Sequence, residues 1–309
     1  MENIIQPVEK SLLEKELSDQ FFFRKTNYGN NKIYIVNAHN APNVMREIGR
    51  LREITFREAG GGTGKSVDID EYDTCENPYE QMIVWNPKDM EIVGGYRYIQ
   101  CGKARFDQDG VPFIATTELF NFSLRFLTEF LPYTIELGRS FVQPNYQPTV
   151  NSRKGMFSLD NLWDGLGALV IESPGIRYFF GKVTMYPHFN QQARDIIMYF
   201  LFKYFPDKDN LVTPITPLEI KTEIRELELL FNGGNYSTDY KMLIQTLREL
   251  NENIPPLVNA YMNLTSTMRN FGTAINPGFG NVQETGILVT VGDIYESKKE
   301  RHVASYRKE

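Results

Sequence analysis

The sequence predicts an α/β protein in which a mixed, mostly antiparallel central sheet is flanked by helices. Stretches with strand and helix patterns alternate along the first two thirds of the chain, as they do in a sheet covered by helices. A turn sequence, Asn86 to Asp89, separates two strand-like runs and predicts an antiparallel hairpin. With 309 residues and 41% apolar content, the chain is long enough to bury one large core.

The first third is predicted to contain a leader, a strand, a helix and the hairpin. Residues 1–30 mix charged and aliphatic residues and are predicted to form a helical leader. Lys32 to Ala38 is predicted to be a strand. Pro42 to Ala59 is predicted to be a helix, because its apolar residues recur two to four positions apart and proline suits a first helical turn. The hairpin strands are Gln81 to Trp85 and Ile92 to Gln100.

The middle third continues the alternation of helices and strands. Glu118 to Phe130, Leu159 to Glu172 and Gln191 to Phe205 are predicted helices, and Tyr178 to Tyr186 is a predicted strand. Tyr133 to Val142 is also predicted to be a strand. The alternation of a strand places four of its residues on one face: Thr134, Glu136, Gly138 and Ser140.

The last third is predicted to add a helical insertion before the sheet is completed. Residues 206–254 form this elaboration, with helices expected from Leu218 to Phe231 and from Tyr240 to Asn251. A short helix opening at Pro256 and a strand from Gly286 to Val291 then finish a single domain that spans residues 31–295. Residues 296–309 are predicted to be a basic, solvated tail.

Composition and charge exclude several functional classes. Two cysteines rule out a disulfide framework and a cysteine-rich zinc site, and the three histidines are too far apart to form a ligand motif, so no metal site is predicted. A net charge of −6 argues against general nucleic-acid binding. The first residues lack a signal-peptide pattern and no stretch approaches the roughly 20 apolar residues of a membrane span. A cytoplasmic protein is therefore expected.

A glycine-rich segment, Gly60 to Ser66, is similar to a phosphate-binding P-loop. Ala59 stands where the pattern needs its first glycine, and the segment follows a predicted helix rather than a strand. The pattern therefore favours a flexible loop after a helix and disfavours a P-loop nucleotide hydrolase.

Charged residues within predicted strands are the most informative feature. Glu136 and Arg139 lie in one strand and Arg97 in another, although charges inside a sheet are costly unless they are paired or functional. Three more charges lie nearby in sequence: Arg52, Asp70 and Asp73. A structural salt-bridge network and a functional site are both open interpretations of the set, and the functional one is stronger for Glu136.

Six stretches in order resemble the GNAT-fold acyltransferases. The branch they resemble contains the ornithine-lipid N-acyltransferases, often labelled hemolysin-like, and the glycine N-acyltransferases, with the acyl-homoserine-lactone synthases as more distant members. The stretches are Leu51 to Arg57, Asp70 to Asp73, Ile92 to Arg97, Glu136 to Ser140, Leu162 to Gly165 and Tyr178 to Gly181. The resemblance spans about residues 50–205 and implies a GNAT acyltransferase fold.

The resemblance implies a reaction and its substrates. A long fatty acyl group, 3-hydroxylated in this branch, would pass from acyl carrier protein to the amine of an amino acid, with glycine favoured over ornithine, and no cofactor would be bound. The loop Gln143 to Gln147 lacks the glycines with which many GNAT enzymes hold the diphosphate of coenzyme A. This fits acyl-phosphopantetheine, with its single phosphodiester, although acyl-CoA stays open as donor. Peripheral contact with the inner membrane surface is a further expectation.

The resemblance also implies residue roles. Two catalytic residues are expected, Glu136 and Arg139. Glu136 is expected to act as general base, or to orient the amine through water. Arg139 is expected to join the network of Asp70, Asp73 and Arg97, although a bulge would allow it to pair with Glu136 directly. The expected substrate- and donor-binding set is Arg52, Asp70, Asp73, Arg97, Phe141, Val142, Arg153, Lys154 and Trp163. Backbone N–H groups near Phe141 and Val142 would face the thioester oxygen, and Arg153 and Lys154 would contact the phosphate or the carrier.

Several alternatives stay open from sequence alone. The candidates for an acyl-chain channel, for which core packing is the alternative, are Phe120, Phe122, Phe126, Phe130 and Phe179. An acyl-CoA-dependent N-acetyltransferase and an acyl-homoserine-lactone-type synthase are alternative enzymes. A non-catalytic protein that binds the acyl carrier or a lipid is the alternative from another class.

Overall fold

The computed structural model describes residues 1–306 and contains one large sheet with helices on both faces. The strands are Phe22–Lys25 (β1), Lys32–Val36 (β2), Glu80–Asn86 (β3), Glu91–Gln100 (β4), Phe120–Phe122 (β5), Thr134–Val142 (β6), Tyr178–Met185 (β7), Val212–Pro214 (β8), Arg269–Asn276 (β9) and Val282–Thr290 (β10). The helices are Lys10–Glu16 (α1), Pro42–Glu58 (α2), Glu71–Thr74 (α3), Ser152–Gly155 (α4), Ser158–Glu172 (α5), Gln191–Tyr204 (α6), Ile224–Leu230 (α7), Tyr236–Glu249 (α8), Pro256–Met262 (α9) and Glu296–His302 (α10).

The large sheet has eight strands in the order β1-β2-β3-β4-β6-β7-β10-β9. All neighbours are antiparallel except β6 and β7, which run parallel and pair only from Thr134 to Leu137. Beyond Leu137 on β6 and Gly181 on β7 the two strands separate, so a cleft opens in the middle of the sheet. The mixed, mostly antiparallel sheet predicted from the sequence is confirmed.

A bulge in β6 lies at the start of this separation. Arg97 of β4 pairs with Gly138, and two residues earlier Gly95 pairs with Phe141, so β6 carries one extra residue. Arg139 has a φ of 46°, in the left-handed region that non-glycine residues seldom adopt. The extra residue reverses the alternation: Leu137 packs into the core on the α5 face, whereas Phe141 packs on the α2 face. Ser140 therefore does not share the face of Glu136, contrary to the ideal alternation.

Apolar stripes on the helices explain how the two faces are covered. The stripe of α2, which includes Val44, Ile48 and Leu51, is buried on one face of the sheet. On the other face α5, α6, α8 and α9 enclose the largest core, where side chains such as Leu166 and Phe200 are fully buried. Each such side chain contributes roughly 1.5–3 kcal/mol of hydrophobic stabilisation. The two cores hold the cleft-forming strands from both sides.

The ends of the chain differ from their predicted forms. Within the leader α1 is followed by a short 3-10 turn, Asp19–Phe21, and β1 adds a strand to the edge of the sheet beside β2. The predicted solvated tail contains α10, whose His302 is buried with Nδ1 2.9 Å from Oδ1 of Asp164 in α5. Arg24 of β1 donates to the backbone oxygen of the same aspartate at 3.1 Å. A polar cluster that local sequence patterns do not indicate thus ties both ends to α5. Residues 307–309 of the tail lie outside the described residues.

The predicted helix from Glu118 to Phe130 is wrong for its first half, since helical structure begins only at Leu124 and continues to Phe130. The segment instead contains the short strand β5, which pairs with β8, and a π-helical turn, Phe126–Phe130. Its aromatic rings pack mainly against one another and against β7 and β9 rather than along one helix face. The insertion is helical as predicted, but α7 is shorter than expected and α8 begins at Tyr236. Among residues 1–306, no helix is both long and apolar enough to cross a bilayer.

Candidate active site

The cleft between β6 and β7 is open on both faces of the sheet. A small pocket on the α2 face is lined by Glu136 and by Phe279 from the β9–β10 turn. A second small pocket, on the α5 face, is lined mainly by apolar groups, including Phe179 and Tyr261. The two pockets share Leu137 to Ser140, Lys182 and Leu257, so they meet where the strands separate. The geometry offers one polar and one apolar compartment joined by a gap in the sheet.

Glu136 lies on the cleft side of β6 and is only 2% exposed. One carboxylate oxygen accepts a hydrogen bond from the Thr116 N–H at 2.9 Å, and the other accepts one from the Tyr79 hydroxyl. Burial raises the pKa of Glu136, whereas the Tyr79 bond and the positive charge of Lys182 oppose the rise. Because a carboxylate has about four lone-pair sites, two of them remain for a proton donor in the pocket.

The charged residues predicted from the sequence converge beside the cleft. Arg97 donates to Asp70 at 2.7 Å and to Asp73 at 3.3 Å, and Arg52 donates to Asp73 at 3.2 Å. Burial alone would raise the pKa of Asp73, but Arg52 and Arg97 lower it to about 2. Charges are expensive to bury unless they are paired, and here Asp73 faces Arg52 and Arg97 while Asp70 faces Arg97 and Arg139. This network fixes α3 against β4 and α2.

Arg139 joins this network through a partner that the sequence did not indicate. Its Nε is 2.8 Å from an oxygen of the buried Asp68, and its Nη2 is 3.6 Å from Asp70. The guanidinium also lies over the ring of Phe279, 4.2 Å from its centroid. Arg139 therefore points away from Glu136 and braces the wall of the polar pocket. Asp68 was missed because it lies in an irregular segment where no periodicity marks it as buried.

The β6 backbone beyond the bulge presents polar groups to the cleft. Gln143 donates its N–H to Val93 O at 3.0 Å, so the pair of Gly94 and Val142 is of the non-hydrogen-bonded type. The N–H and C=O of Val142 therefore point away from β4, and Nε2 of Gln147 donates a hydrogen bond to the Val142 carbonyl oxygen at 2.9 Å. By the same alternation the Phe141 N–H points toward β4. Of the two backbone N–H groups predicted to face the thioester, those of Phe141 and Val142, only the N–H of Val142 points toward the cleft.

A second ion pair on the cleft wall was not predicted. Lys182 of β7 lies 2.8 Å from Glu284 of β10, and the same carboxylate accepts from Asn276 at 3.1 Å. Burial raises the pKa of Glu284, but Lys182, the positive charge of Arg139 and the Asn276 hydrogen bond together outweigh it and lower the pKa. Lys182 was a detectable signal, since it is the one charge in the otherwise apolar strand from Tyr178 to Tyr186. Glu284 precedes the residue at which the last strand was expected to begin.

Other predicted residues lie outside the pockets. Lys154 pairs with Asp89 at 2.7 Å, and the neighbouring Arg153 is exposed on α4. Trp163 packs against Tyr261, with ring centroids 5.5 Å apart, and so lies one layer behind the apolar pocket. Of the five candidate channel phenylalanines, only Phe179 lines a cleft pocket. The others belong to or pack against a separate core cluster: Phe120, Phe122, Phe126 and Phe130.

The glycine-rich loop is occupied by a side chain of the protein itself. The carboxylate of Glu53 accepts from Thr63 N at 3.1 Å, Thr63 Oγ1 at 2.7 Å and Gly64 N at 2.8 Å. Arg57 holds the same carboxylate at 2.6 Å. The loop resembles a phosphate cradle because it binds an anion, and that anion is Glu53.

Comparison with known proteins shows the family to which the chain belongs. The family model described as an acetyltransferase (GNAT) domain matches residues 51–153. A curated glycine N(alpha)-acyltransferase of Phocaeicola vulgatus is 57% identical over 309 residues, covering 100% of this chain and 95% of that protein. The chain belongs to the glycine N(alpha)-acyltransferase family. A second family member, from Bacteroides thetaiotaomicron, is 58% identical over 306 residues, covering 99% of this chain and 91% of the other.

Solved structures give weaker matches to this acyltransferase. FeeM, an N-acyl amino acid synthase from uncultured soil microbes, matches 86% of this chain and 95% of its own, with 11% identity and a TM-score of 0.42. The CoA-dependent acyl-homoserine lactone synthase BjaI matches 87% of this chain and 86% of its own, with 11% identity and a TM-score of 0.40. The predicted GNAT-fold acyltransferase is confirmed by the family membership, which also removes the nucleotide-hydrolase and non-catalytic alternatives.

Proposed function

We propose that the enzyme transfers a long 3-hydroxyacyl group from acyl carrier protein to the amine of glycine, giving an N-acylglycine. The choice of glycine as the acceptor is supported by the 57–58% identity, over nearly the whole chain, to two proteins named for glycine. The cleft supports the chemistry, because it combines a buried carboxylate, a free backbone amide and an apolar compartment. Ornithine is the competing acceptor.

The reaction requires little beyond positioning. The neutral amine attacks the thioester carbon, a C–N bond forms, the C–S bond breaks, and the thiol of phosphopantetheine leaves. In our proposal Glu136 accepts the proton that the ammonium must lose, directly or through water. The Val142 N–H is positioned to donate to the oxygen on which negative charge develops. The network around Arg97 and Asp73 keeps β4 and the bulge of β6 in place.

The donor is inferred from the loop that follows β6. Gln143 and Gln147 use their side chains on backbone carbonyls, and Tyr146 is buried with its hydroxyl 2.9 Å from Asp89. No glycine in this loop offers the close backbone approach that a diphosphate needs. This favours phosphopantetheine on a carrier protein over coenzyme A. The exposed Arg153 is a candidate contact for the single phosphate or for the acidic carrier.

Mass spectrometry of lipids tests the reaction and the acceptor together. Cells expressing the wild type are expected to accumulate an N-acylglycine that is absent from cells expressing Glu136→Gln. With purified enzyme, acyl carrier protein and coenzyme A thioesters of the same chain are compared as donors, and glycine, alanine and ornithine as acceptors. A product that contains ornithine, or equal rates with both donors, would contradict the corresponding part of the proposal.

The proposed role of Glu136 is tested by turnover. Glu136→Gln keeps the side-chain shape and is expected to lose about two or more orders of magnitude in kcat, the usual scale for a general base. An unchanged melting temperature shows that the loss is chemical. Turnover equal to that of the wild type would remove Glu136 from the mechanism. Peripheral contact with the inner membrane surface stays a prediction, for which co-sedimentation with anionic vesicles is the measurement.

A further inference from the structure

We propose that Lys182 binds the carboxylate of the amino-acid acceptor and that Glu284 and Asn276 hold Lys182 in position for it. This inference rests on the proposed function, because it presumes an acceptor that carries both an amine and a carboxylate. The ion pair of Lys182 and Glu284 has no role in the chemistry at Glu136, and we assign to it the recognition of the acceptor carboxylate.

The register of the sheet places the relevant charges in one row. Glu136 of β6 pairs with Phe180 of β7, and Lys182 follows two residues later on the same face. Glu284 of β10 pairs with Thr184, so its side chain shares this face and reaches Lys182 at 2.8 Å. The row runs negative, positive, negative across three adjacent strands, all lining the polar pocket.

A free amino acid at neutral pH is a zwitterion, and this row is complementary to it. An acceptor with its carboxylate on Lys182 and its amine toward Glu136 meets opposite charge at both ends. Glu136 and Lys182 line the same pocket, so one small acceptor can reach both groups. The amine is then delivered to the carboxylate that receives its proton.

The burial of Lys182 and its number of N–H donors suit ligand binding better than a purely structural role. Its side chain is 12% exposed, and an ion pair this buried contributes little stability relative to apolar residues of similar size. An ammonium has three N–H donors, and within the described chain Glu284 is the partner that holds it. The remaining donors can therefore serve a carboxylate in the pocket. Asn276 and Lys182 together keep Glu284 charged, which keeps Lys182 oriented.

Gly138 provides the space that such an acceptor needs. It lies between Glu136 and the bulge, on the face of Glu136, and lines both pockets. A methyl group added there would meet its nearest neighbours, Nε and Cγ of Arg97, at 3.5 and 3.6 Å, which are ordinary contacts. The protein therefore does not require glycine at this position for its own packing. A side chain would instead take up pocket volume beside the proposed binding site.

The decisive experiment compares two acceptors that differ only in the carboxylate. Initial rates of thiol release from acyl carrier protein are measured with glycine and with glycinamide, for the wild type, Lys182→Arg and the double variant Lys182→Met/Glu284→Gln. The double variant avoids leaving a buried, unpaired carboxylate. Its KM for glycine is expected to rise about 10- to 100-fold, the effect of losing a charge-assisted hydrogen bond, whereas its KM for glycinamide changes less than threefold. Lys182→Arg should retain part of the preference.

Two further variants make the result specific. Lys203→Met removes an ion pair of similar length, 2.9 Å to Asp239, far from the cleft in sequence and outside both pockets, and is expected to leave both KM values unchanged. Gly138→Ala is expected to raise the KM for glycine while the melting temperature stays within the error of the wild type. An unchanged KM for glycine in the folded Lys182 variants would overturn the inference alone. A wild type that acylates no amino acid would overturn the proposed function with it.

Discussion

Tyr79→Phe removes one oxygen atom that serves two buried groups at once. The hydroxyl donates to the Glu136 carboxylate and accepts from the Ala115 N–H at 2.9 Å, and Tyr79 is only 1% exposed. Losing a hydrogen bond to a charged group costs about 1.5–3 kcal/mol, and an unpartnered buried amide costs a further 1–3 kcal/mol or so. We therefore expect the free energy of unfolding to fall by about 2.5–6 kcal/mol, measured by urea denaturation at neutral pH.

The same variant changes the acid–base behaviour of the site. Burial raises the pKa of Glu136 and the Tyr79 bond opposes that rise, so removing the bond raises the pKa further. If Glu136 must be ionised to accept a proton, the acidic limb of the kcat/KM profile for glycine moves to higher pH in Tyr79→Phe. At a pH well above this limb the variant should recover much of its activity.

A neighbouring tyrosine provides the matched control. Tyr72 packs edge-on against Tyr79 at 5.8 Å between centroids, and the hydrogen bonds to the Glu136 carboxylate come from Tyr79 and Thr116 instead. Tyr72→Phe should therefore lose less stability and leave the acidic limb in place. An acidic limb that stays where it is in a folded Tyr79→Phe enzyme would refute the assignment of that limb to Glu136.

Three further predictions concern the scaffold. Gly94→Ala places a methyl carbon 2.3 Å from Phe141 O, so it should lower the melting temperature strongly, and a wild-type value would contradict the bulge geometry. Asp164→Ala removes the partner of His302 and should cost about 1–3 kcal/mol in urea unfolding; no loss would show that α10 is not held there. Burial raises the pKa of Glu53, but hydrogen bonds, led by the one from Thr63, lower the pKa overall. The ionised Glu53 therefore stabilises the fold at a pH above its pKa in the unfolded chain, and this stabilisation is lost as the pH falls through its pKa in the folded protein. The loss of unfolding free energy caused by Glu53→Gln should accordingly become smaller at acidic pH. A loss that does not depend on pH would contradict this reasoning.

Sequence patterns predicted the elements that have a regular period. The apolar spacing from Pro42 onward gave α2 to within a residue, and the hairpin turn at Asn86 to Asp89 placed β3 and β4 correctly. Charges in strands drew attention to Glu136, Arg97 and Arg139 because a sheet interior has few reasons to hold them. These residues do lie together at the cleft, although Arg139 reaches the network through a left-handed backbone that no periodicity reveals.

Features that depend on distant contacts could not be predicted in this way. The helix expected from Glu118 forms only from Leu124, because Phe120–Phe122 pair as β5 with the distant strand β8, and this tertiary contact overrides the local preference. His302 follows a run of charged residues typical of a tail, and only the fold shows that it meets Asp164. Glu284 gains its significance from pairing with β7, about a hundred residues away in sequence.

The separation of β6 and β7 has a consequence for how the protein avoids unwanted association. Unpaired strand edges normally lie at the margin of a sheet, where another polypeptide can add to them and start aggregation. Here the unpaired backbone of Val142 lies between two strands of one sheet, with side chains such as Leu257 and Phe279 narrowing the approach. The protein thus keeps an unpaired backbone edge inside the sheet, where it is available to a ligand and protected from other chains.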